Sequence, residues 1–404
     1  MECFDVAAVA VAGKIIYMKK VLILSNTCWN AFHYRKSLNK GLQKAGYQVQ
    51  VLAGLDGYEK TLQEQNIPVT GLYISAKGLN PFQDFQTFKE IFNYLRREKP
   101  DVVFSFTIKP VLYAGLAAGL LQIFHAFQKD SRRLKVIPTL TGLGTVFIKS
   151  NWVTRLVRLL YWFSLKSSTC VFFQNADDRD LFLKLKLISP DKIEIVPGSG
   201  IDPNEFSPDF ANGNREASKM ASKSKSKDDL VFLLIARMLW DKGILEYYEA
   251  AKAIKKVYPF CRFQLLGPTG VENRTAISEE TIQYWVNEGV IEYLPETADV
   301  RPFIAESDVV VLPSYREGLP KSLLEAACMG KPLIATDVPG CRDLLANENG
   351  FLCQEKSSKS LEKAIESMIH QTKEARLQMG QKSRELVLQG FTESIVVQKY
   401  LNRI

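Results

Sequence analysis

Short, mostly apolar runs alternate with longer amphipathic stretches along most of the chain, and this alternation predicts strands separated by helices. The apolar runs stand at residues 21–25, 47–52, 101–106, 136–140, 230–236, 263–266, 308–312 and 332–336. Such runs are typical of strands that are buried on both faces of a parallel sheet. Helical patterns lie between them, for example over residues 32–45, 82–99, 244–258 and 321–329. The repeated order of strand and helix predicts an α/β fold.

The length of the chain and one flexible segment predict two domains. A chain of 404 residues is too long for a single hydrophobic core. Residues 197–208 are rich in Gly and Pro, which favours a hinge there. We therefore expect a first domain over residues 18–199 and a second over residues 200–390. Residues 1–17 precede the first expected strand and are predicted to be an extension with no role in the fold.

One predicted strand–loop–helix–strand unit, residues 308–336, carries the strongest candidate chemistry. Glu317 lies in the loop before the helix, and Glu325 lies on the helix a little over two turns later. Both carboxylates are expected to face one cleft, about 12 Å apart. The backbone N–H groups of residues 318–322 open the helix and form an anion site. A phosphate site flanked by two acceptors for hydroxyl groups suits a sugar nucleotide.

Each of these features has an ordinary alternative. Glu317 taken alone is a charge at a helix N-terminus, and Glu325 taken alone is a solvated helix residue. A second pair of groups favours the sugar-nucleotide interpretation. Arg237 follows the apolar run 230–236, and Lys242 lies shortly after it, ahead of the next helix. A planar guanidinium and a compact ammonium are a suitable pair for a diphosphate.

Two segments resemble motifs of the retaining glycosyltransferases of family four, which have the GT-B fold. Arg316-Glu-Gly-Leu-Pro-Lys-Ser-Leu-Leu-Glu-Ala326 resembles the E-x7-E motif of that family. Leu234-Ile-Ala-Arg-Met-Leu-Trp-Asp-Lys-Gly-Ile244 resembles the Arg and Lys that hold the donor diphosphate there. The resemblance covers nearly all of residues 18–404. It implies two Rossmann-like domains that face each other across a cleft, and a final helix within residues 391–404 that crosses back to the first domain.

The resemblance also implies roles for the donor-binding groups. Arg237 and Lys242 would hold the diphosphate and stabilise its charge as it leaves, together with the helix start at Gly318, Leu319 and Pro320. Glu317 would bind hydroxyl groups of the donor sugar, and Glu325 those of the ribose. Glu317, Arg237 and Lys242 are therefore the expected catalytic groups. Domain closure would exclude water from the donor.

Candidate acceptor groups follow predicted strands of the first domain. His33 and Arg35 lie at the expected start of the helix over residues 32–45, and Lys109 lies in the expected loop after the strand 101–106. These three are expected to face the cleft, and Lys109 to contact the acceptor pyrophosphate or the leaving group. A capping His, a surface Arg and a surface Lys are the ordinary alternatives. Gly142 and Gly144 form a tight turn that lets backbone approach a ligand.

A narrower resemblance points to a class of acceptor. Phe32-His-Tyr-Arg35, Leu140-Thr-Gly-Leu-Gly-Thr145 and the segment from Ala236 to Gly243 resemble bacterial enzymes that add N-acetylgalactosamine or N-acetylglucosamine to an undecaprenyl-diphosphate-linked sugar. The resemblance implies a UDP-sugar donor and a role in the assembly of a cell-surface polysaccharide. A soluble GT-B enzyme that acts on a sugar phosphate, and a non-catalytic nucleotide-binding scaffold, remain alternatives.

The charge of the first half indicates an anionic partner. Residues 18–200 contain 25 Lys and Arg against 13 Asp and Glu, a balance of +12, whereas residues 201–404 contain 26 against 29, a balance of −3. The predicted helix over residues 151–166 combines cations such as Arg155 and Lys166 with aromatic residues such as Trp162. This combination is typical of a membrane-surface helix, and a core-packed helix with solvated cations is the alternative. We expect a cytoplasmic protein that lies peripherally on the anionic inner face of the plasma membrane.

Several other kinds of site are disfavoured by residue usage. Seven scattered cysteines form no C-x-x-C pair, which favours reduced thiols. The chain has three histidines, and no D-x-D motif follows a predicted strand. We therefore expect neither a metal ion nor a cofactor. Nucleic acid is not an expected partner either, because no binding motif accompanies the positive charge.

Overall fold

The computed structural model describes residues 8–11, 14–75, 80–128, 134–143, 152–210, 226, 228–271, 273–346 and 348–404. Internal contacts divide the chain into two units. The first unit consists of Met1–Ser199 together with Glu393–Ile404, and the second of Gly200–Thr392. Each unit contains a parallel sheet of its own, so the alternating pattern of the sequence produces two separate α/β cores.

The first unit contains a sheet of seven strands. A separate antiparallel pair, β1 (Ala8–Val11) and β2 (Lys14–Tyr17), precedes it, so the expectation that the first strand begins after Lys20 is wrong. The sheet order is β5-β4-β3-β6-β7-β8-β9. Its strands are β3 (Lys20–Thr27), β4 (Gln48–Gly54), β5 (Val69–Gly71), β6 (Val102–Phe106), β7 (Lys135–Leu140), β8 (Val171–Phe173) and β9 (Ile193–Ile195). Its helices are α1 (Cys28–His33), α2 (Lys36–Lys44), α3 (Glu59–Gln63), α4 (Pro81–Glu98), α5 (Ile108–Gln128), α6 (Trp152–Lys166) and α7 (Ala176–Lys184).

Strand β3 shows why the apolar runs form this sheet. Val21 and Ile23 pack into the core on one face, whereas Leu22 and Leu24 pack into the core on the other. A strand that is covered on both faces requires apolar residues at consecutive positions. The continuous hydrophobic run in the sequence is the result.

Two elements of the first unit differ from their predictions. The helix expected over residues 32–45 is two helices, because α1 begins at Cys28 and the chain turns at Tyr34 and Arg35 before α2. The Thr27 side chain accepts the Asn30 N–H at 3.1 Å and thereby caps the early helix. Lys109 was expected in a loop but lies in the first turn of α5.

The second unit contains a sheet of six parallel strands in the order β12-β11-β10-β13-β14-β15. They are β10 (Leu230–Ile235), β11 (Cys261–Leu266), β12 (Glu292–Leu294), β13 (Val309–Leu312), β14 (Leu333–Thr336) and β15 (Gly350–Cys353). The helices are α8 (Ile244–Val257), α9 (Glu279–Asn287), α10 (Arg301–Glu306), α11 (Lys321–Cys328), α12 (Ser358–Ile369) and α13 (Lys373–Gly390). From β10 the chain builds one side of the sheet, and it then returns beside β10 with β13. The carboxyl ends of β10 and β13 therefore form the topological switch point, where ligands bind in such sheets.

The last helix, α14 (Glu393–Leu401), belongs to the first unit. Its Tyr400 is fully buried, and the tyrosine ring packs against Phe104 and Phe172 with ring centroids 5.1 and 4.6 Å away. The Tyr400 hydroxyl lies 2.8 Å from the hydroxyl of Thr139 on β7. The chain end is therefore a structural part of the first core.

The prediction of two Rossmann-like domains is confirmed by these two parallel sheets. Among the helices of the described residues, none combines the length and the apolarity that a membrane crossing requires.

Candidate active site

Two loops meet at the switch point of the second sheet, one after β10 and one after β13. Gly243 has a φ of +71°, and a Cβ there would lie 2.0 Å from the carbonyl oxygen of Pro313. The Tyr315 N–H donates to the Asp241 carbonyl at 2.9 Å. Glycine is required here for two reasons: the backbone is left-handed, and the neighbouring loop leaves no room for a Cβ.

This contact brings together two of the predicted catalytic residues. The Lys242 ammonium forms an ion pair with the Glu317 carboxylate. The side chains of Lys242 and Glu317 are 17% and 15% exposed, so the pair is shielded from water yet still reachable by a ligand. The pair places a cation and a hydrogen-bond acceptor side by side at the carboxyl ends of adjacent strands.

The Glu317 loop is also held on its other side, by the segment that follows β14. The Glu317 N–H donates to the Pro339 carbonyl at 3.3 Å. Gly340 has a φ of +81°, and a Cβ there would lie 2.5 Å from the Gly318 carbonyl oxygen. Backbone contacts on both sides thus fix the position from which Glu317 projects.

Tyr315 and Glu246 form a supporting pair beneath this loop that was not predicted from the sequence. The Tyr315 hydroxyl donates to the Glu246 carboxylate at 2.7 Å, and Glu246 on α8 is only 8% exposed. Burial, followed by the adjacent carboxylate, raises the pKa of Tyr315, so the phenol stays protonated and can donate. Neither residue belongs to a recognisable motif, so no sequence signal pointed to this contact.

Replacing Tyr315 with Phe is expected to lower the free energy of unfolding by about 1–3 kcal/mol, because the buried Glu246 carboxylate loses its donor. Urea denaturation followed by circular dichroism measures this change. Tyr284→Phe is the matched control, since the Tyr284 hydroxyl donates to Glu288 at 3.0 Å but the ring is 58% exposed. Equal destabilisation by the two variants would contradict a special role of the Tyr315–Glu246 pair.

Arg237 directly follows Ala236 at the carboxyl end of β10, as the strand pattern predicted. Its side chain is exposed. Within the described ranges, the guanidinium has no hydrogen-bond or ion-pair partner. A planar cation in this position is available to an anionic ligand.

Helix α11 begins at Lys321, with Pro320 at its N-cap position. Pro320 offers neither a capping side chain nor an N–H, so only its neighbours can supply amide N–H groups at the start of this helix. The first turn carries no acidic residue, which leaves the positive end of the helix dipole uncompensated by a carboxylate. Gly318 is buried and Leu319 is half-buried in the preceding loop.

The second carboxylate, Glu325, is 7% exposed, so the alternative of a solvated helix residue is wrong. Burial raises the pKa of Glu325 to about 7, and the carboxylates of Glu205 and Asp299 act in the same direction. The Lys321 ammonium lies 3.5 Å from Glu325 one helical turn earlier and opposes the shift. Glu325 is therefore a buried acid that changes its charge near neutral pH.

The candidate acceptor residues of the first unit have different surroundings. His33 ends α1 rather than starting a helix. The centroid of its exposed ring lies 4.7 Å from that of Trp29 in a tilted arrangement and 5.1 Å from that of Tyr58 in an edge-on arrangement. Arg35 is 3% exposed, with its guanidinium carbon 3.9 Å from the centroid of the Phe106 ring. Arg35 is thus part of the core, and the alternative of a surface Arg is wrong.

Lys109 and the two glycines complete the predicted acceptor set. The Lys109 ammonium lies 2.7 Å from a carboxylate oxygen of Asp84 on α4, and both side chains are largely covered. A free surface lysine is therefore excluded. Gly142, after β7, has a φ of +109°, in keeping with the predicted tight turn. Gly144 lies outside the described residues.

Among the described residues, Cys28, Asp56 and Glu59 form a group whose possible metal-ligand atoms lie within 4.8 Å of one another. The carboxylates of this group already accept backbone N–H groups, Asp56 from Trp29 and Glu59 from Gly57, each at 2.9 Å. Burial, with both carboxylates, raises the pKa of the Cys28 thiol to about 12. The group lies in the first unit, apart from Lys242 and Glu317.

Comparison with solved structures shows the same architecture. A glycosyltransferase from Rickettsia africae superposes with a TM-score of 0.74 at 18% identity, over 96% of this chain and 98% of that one. The Anabaena protein Alr3699/HepE in complex with UDP and glucose superposes with a TM-score of 0.73 at 17% identity, over 96% and 99%. Together with the two parallel sheets, these neighbours confirm the GT-B fold.

Two bacterial relatives match most of the sequence. The N,N'-diacetylbacillosaminyl-diphospho-undecaprenol alpha-1,3-N-acetylgalactosaminyltransferase of Campylobacter jejuni is 28% identical over 387 residues, which is 95% of this chain and 97% of the relative. The UDP-Gal:alpha-D-GlcNAc-diphosphoundecaprenol alpha-1,3-galactosyltransferase of Escherichia coli is 25% identical over 320 residues, which is 78% of each chain.

Two family models also match, one in each half of the chain. The model described as Glycosyltransferase Family 4 matches residues 34–205, and the model described as Glycosyl transferases group 1 matches residues 216–386. The second match includes Arg237, Lys242, Glu317 and Glu325. The chain therefore belongs to the glycosyltransferases, with a family 4 region followed by a group 1 region.

Proposed function

We propose that this glycosyltransferase moves an N-acetylhexosamine, GalNAc or GlcNAc, from a UDP-sugar to a polyprenyl-diphosphate-linked sugar with retention of anomeric configuration. The observation that carries the proposal is the Lys242–Glu317 pair at the switch point of the second sheet. The names of the Campylobacter jejuni and Escherichia coli relatives support the class of acceptor, and the latter name supports a UDP-linked donor.

Donor binding would use the groups around the start of α11. The diphosphate would contact the ammonium of Lys242, the exposed guanidinium of Arg237 and the amide groups at the helix start. In the free protein Lys242 and Glu317 neutralise each other. Arrival of the diphosphate would let Lys242 share its charge between the phosphate and Glu317. The Glu317 carboxylate would then be held in place to accept hydrogen bonds from the donor sugar.

The transfer itself would be mostly electrostatic. The bond between the anomeric carbon and the diphosphate oxygen breaks, and its electron pair stays on the diphosphate. The acceptor hydroxyl oxygen bonds to the anomeric carbon on the same face, and its proton passes to the departing phosphate oxygen. Lys242 and Arg237 would stabilise the developing negative charge, which lowers the barrier without a covalent enzyme intermediate. We further propose that no added metal ion is required.

Binding of the ribose would depend on Glu325. Its ionised carboxylate can accept two hydroxyl hydrogen bonds, whereas its protonated form has reduced acceptor capacity. Because burial raises the pKa of Glu325 to about 7, the two forms are close in population at neutral pH in the free protein. A donor that binds the ionised form would pull this equilibrium toward the carboxylate.

The acceptor would be reached at the cytoplasmic face of the inner membrane, with the protein bound peripherally to anionic lipid. Helix α6 exposes Leu156, Leu159, Trp162 and Phe163 by 36–51%, and α5 exposes Ile123 and Phe124 by more than half. Apolar side chains of this size on neighbouring helices favour contact with a lipid surface. The balance of +12 charges over residues 18–200 favours an anionic one.

Purified protein should release UDP from one UDP-N-acetylhexosamine only when an undecaprenyl-diphosphate-linked sugar is present in detergent with EDTA. NMR of the product should show that the transferred sugar keeps the anomeric configuration that it has in the donor. Glu317→Gln should abolish turnover, whereas Glu348→Gln should not, since Glu348 pairs with Lys382 at the surface of the same unit. Turnover with a soluble sugar phosphate but with no lipid-linked acceptor would contradict the proposed acceptor.

A further inference from the structure

A cavity of about 460 Å³ opens in the first unit where the end of α6 meets the segment between α7 and β9. Trp162, Lys166, Lys186, Ser189, Pro190 and Lys192 are among the residues that line it. Lys166 precedes β8 and Lys192 precedes β9, so the cavity lies at the amino ends of these strands. His33, Lys109 and Gly142 follow their strands, at the opposite edge of the sheet. The cavity is therefore separate from the candidate acceptor groups.

Three of the residues that line this cavity are lysines. The Lys166 ammonium lies 3.3 Å from the centroid of the Trp162 ring, and the Lys192 ammonium donates to the Lys166 carbonyl at 2.9 Å. The Lys186 ammonium has no partner in the part of the chain that the structure describes. A nearby carboxylate, Asp191, accepts a hydrogen bond from the Ser189 hydroxyl. Lys186 thus gives the cavity a positive charge that no carboxylate of the described residues neutralises in an ion pair.

The backbone of Lys186 is unusual for a lysine. It has a φ of +54°, immediately after the C-cap of α7, where its N–H donates to the Leu183 carbonyl at 2.9 Å. This left-handed position is the one that glycine most often occupies after a helix. A side chain there strains the backbone. Glycine at this position would therefore remove the charge of Lys186 without straining the backbone.

The exposed apolar face of α6 continues from the cavity. Trp162 belongs both to the cavity, which it lines, and to the apolar face, since it is 36% exposed. Phe163 beside it is 49% exposed. Helix α6 packs closely against α5, since a Cβ on Gly115 of α5 would lie 2.1 Å from the Ser164 hydroxyl oxygen. The exposed apolar side chains of α6 therefore lie next to a recess that is lined in part by lysines. Tryptophan and lysine in this arrangement are typical of the boundary between the acyl chains and the headgroups of a bilayer.

We propose that this cavity binds the phosphate headgroup of an anionic phospholipid, while Leu159, Trp162 and Phe163 contact the bilayer surface. The proposal deepens the proposed function, on which it rests for the presence of a membrane, by naming the residues that would recognise the lipid. The choice of ligand rests on charge complementarity, because three lysines line the cavity and a phospholipid phosphate bears a negative charge. Headgroup binding at this edge of the sheet would leave the carboxyl ends of the strands free for the acceptor.

Co-sedimentation of the full chain with vesicles tests this site without any donor or acceptor. Phosphatidylcholine vesicles are compared with vesicles that also contain phosphatidylglycerol. Lys186→Gly should lower the binding constant for the anionic vesicles about fivefold, the effect expected for one lysine near a charged surface. Because glycine favours the left-handed backbone, this variant should unfold at the same temperature as the native protein or higher.

The matched control is Lys99→Gly. Lys99 is also exposed and also has a positive φ, +48°, at the end of α4 in the same unit, but it does not line the cavity. Binding should be unchanged in this variant. Equal losses in the two variants, or native binding that does not depend on phosphatidylglycerol, would overturn the proposal. Failure of the transfer reaction would not affect either result, because the vesicle assay contains no substrate.

Discussion

Replacing Lys242 with Met is expected to lower the rate of sugar transfer by about 10²-fold or more at saturating donor. The diphosphate gains negative charge as the glycosidic bond breaks, so a cation fixed beside it stabilises the transition state more than the ground state. The Lys242 ammonium is held there by its ion pair with Glu317. Initial rates of UDP release over a range of donor concentrations measure the effect and separate kcat from KM.

The matched control for this prediction is Lys252→Met. Lys252 also pairs with a glutamate of the second unit, at 2.9 Å from Glu288, but on the outer face of α8. Its loss should leave kcat unchanged. A similar loss of rate in both variants would mean that Lys242 acts through stability. Arg237→Ala should lower the rate as Lys242→Met does, because it too removes a cation from the proposed diphosphate site. This change should not disturb the fold, since the guanidinium has no partner within the described ranges.

Replacing Glu325 with Gln is expected to stabilise the free protein at alkaline pH. Burial raises the pKa of Glu325 from its ordinary value of 4.5 to about 7, so the folded state binds the proton more tightly than the unfolded state. Native stability should therefore fall as the pH rises from about 4.5 to about 7, and stay low above that. The total loss corresponds to about 3 kcal/mol. Glutamine does not titrate, so the variant should escape this loss.

Urea denaturation at several pH values measures this difference. Native protein and Glu325→Gln should have similar free energies of unfolding near pH 4.5, and the variant should be the more stable one at pH 8. Glu348→Gln is the control, since the Glu348 side chain is 86% exposed and its pKa is lowered by Lys382, in the opposite direction. A variant that is less stable than the native protein at pH 8 would contradict the proposed protonation of Glu325.

Glu325→Gln should also bind the donor more weakly than the native protein does, in spite of its greater stability at alkaline pH. A carboxamide accepts fewer hydrogen bonds from ribose hydroxyl groups than a carboxylate does. The KM for the UDP-sugar should rise in Glu325→Gln, and the fall of donor affinity of the native protein below about pH 7 should disappear. A stabilising change that costs function is the expected outcome wherever a buried charge is kept for a ligand.

The pattern of residues alone was enough to predict the α/β class and to name the candidate donor-binding residues. Strands that are buried on both faces must be apolar at successive positions, as in Val21 to Leu24, so the pattern is visible without coordinates. The E-x7-E segment and the Arg237–Lys242 segment are contiguous in the chain, and their local order was enough to predict where they lie. The glycosyltransferase family followed from these two segments and is confirmed by the matched family models.

Only the tertiary structure decided how buried and how paired each group is. The ordinary alternatives make Glu325 a solvated residue and Arg35 a surface residue, yet both are nearly inaccessible to water. Charged residues that are distant in sequence, Glu205 and Asp299, also act on Glu325 and raise its pKa further. Arg35, between α1 and α2, likewise lies against Phe106, which is distant from it in the chain.

The contacts that hold Glu317 in place could not be predicted for the same reason. Tyr315 reaches Glu246, Gly243 lies against Pro313, and Gly340 lies against Gly318. Each contact joins segments that meet only because β10, β13 and β14 are neighbours in the sheet. Local sequence determines which residues favour a strand or a helix, whereas the order of strands in the sheet determines which side chains share a site.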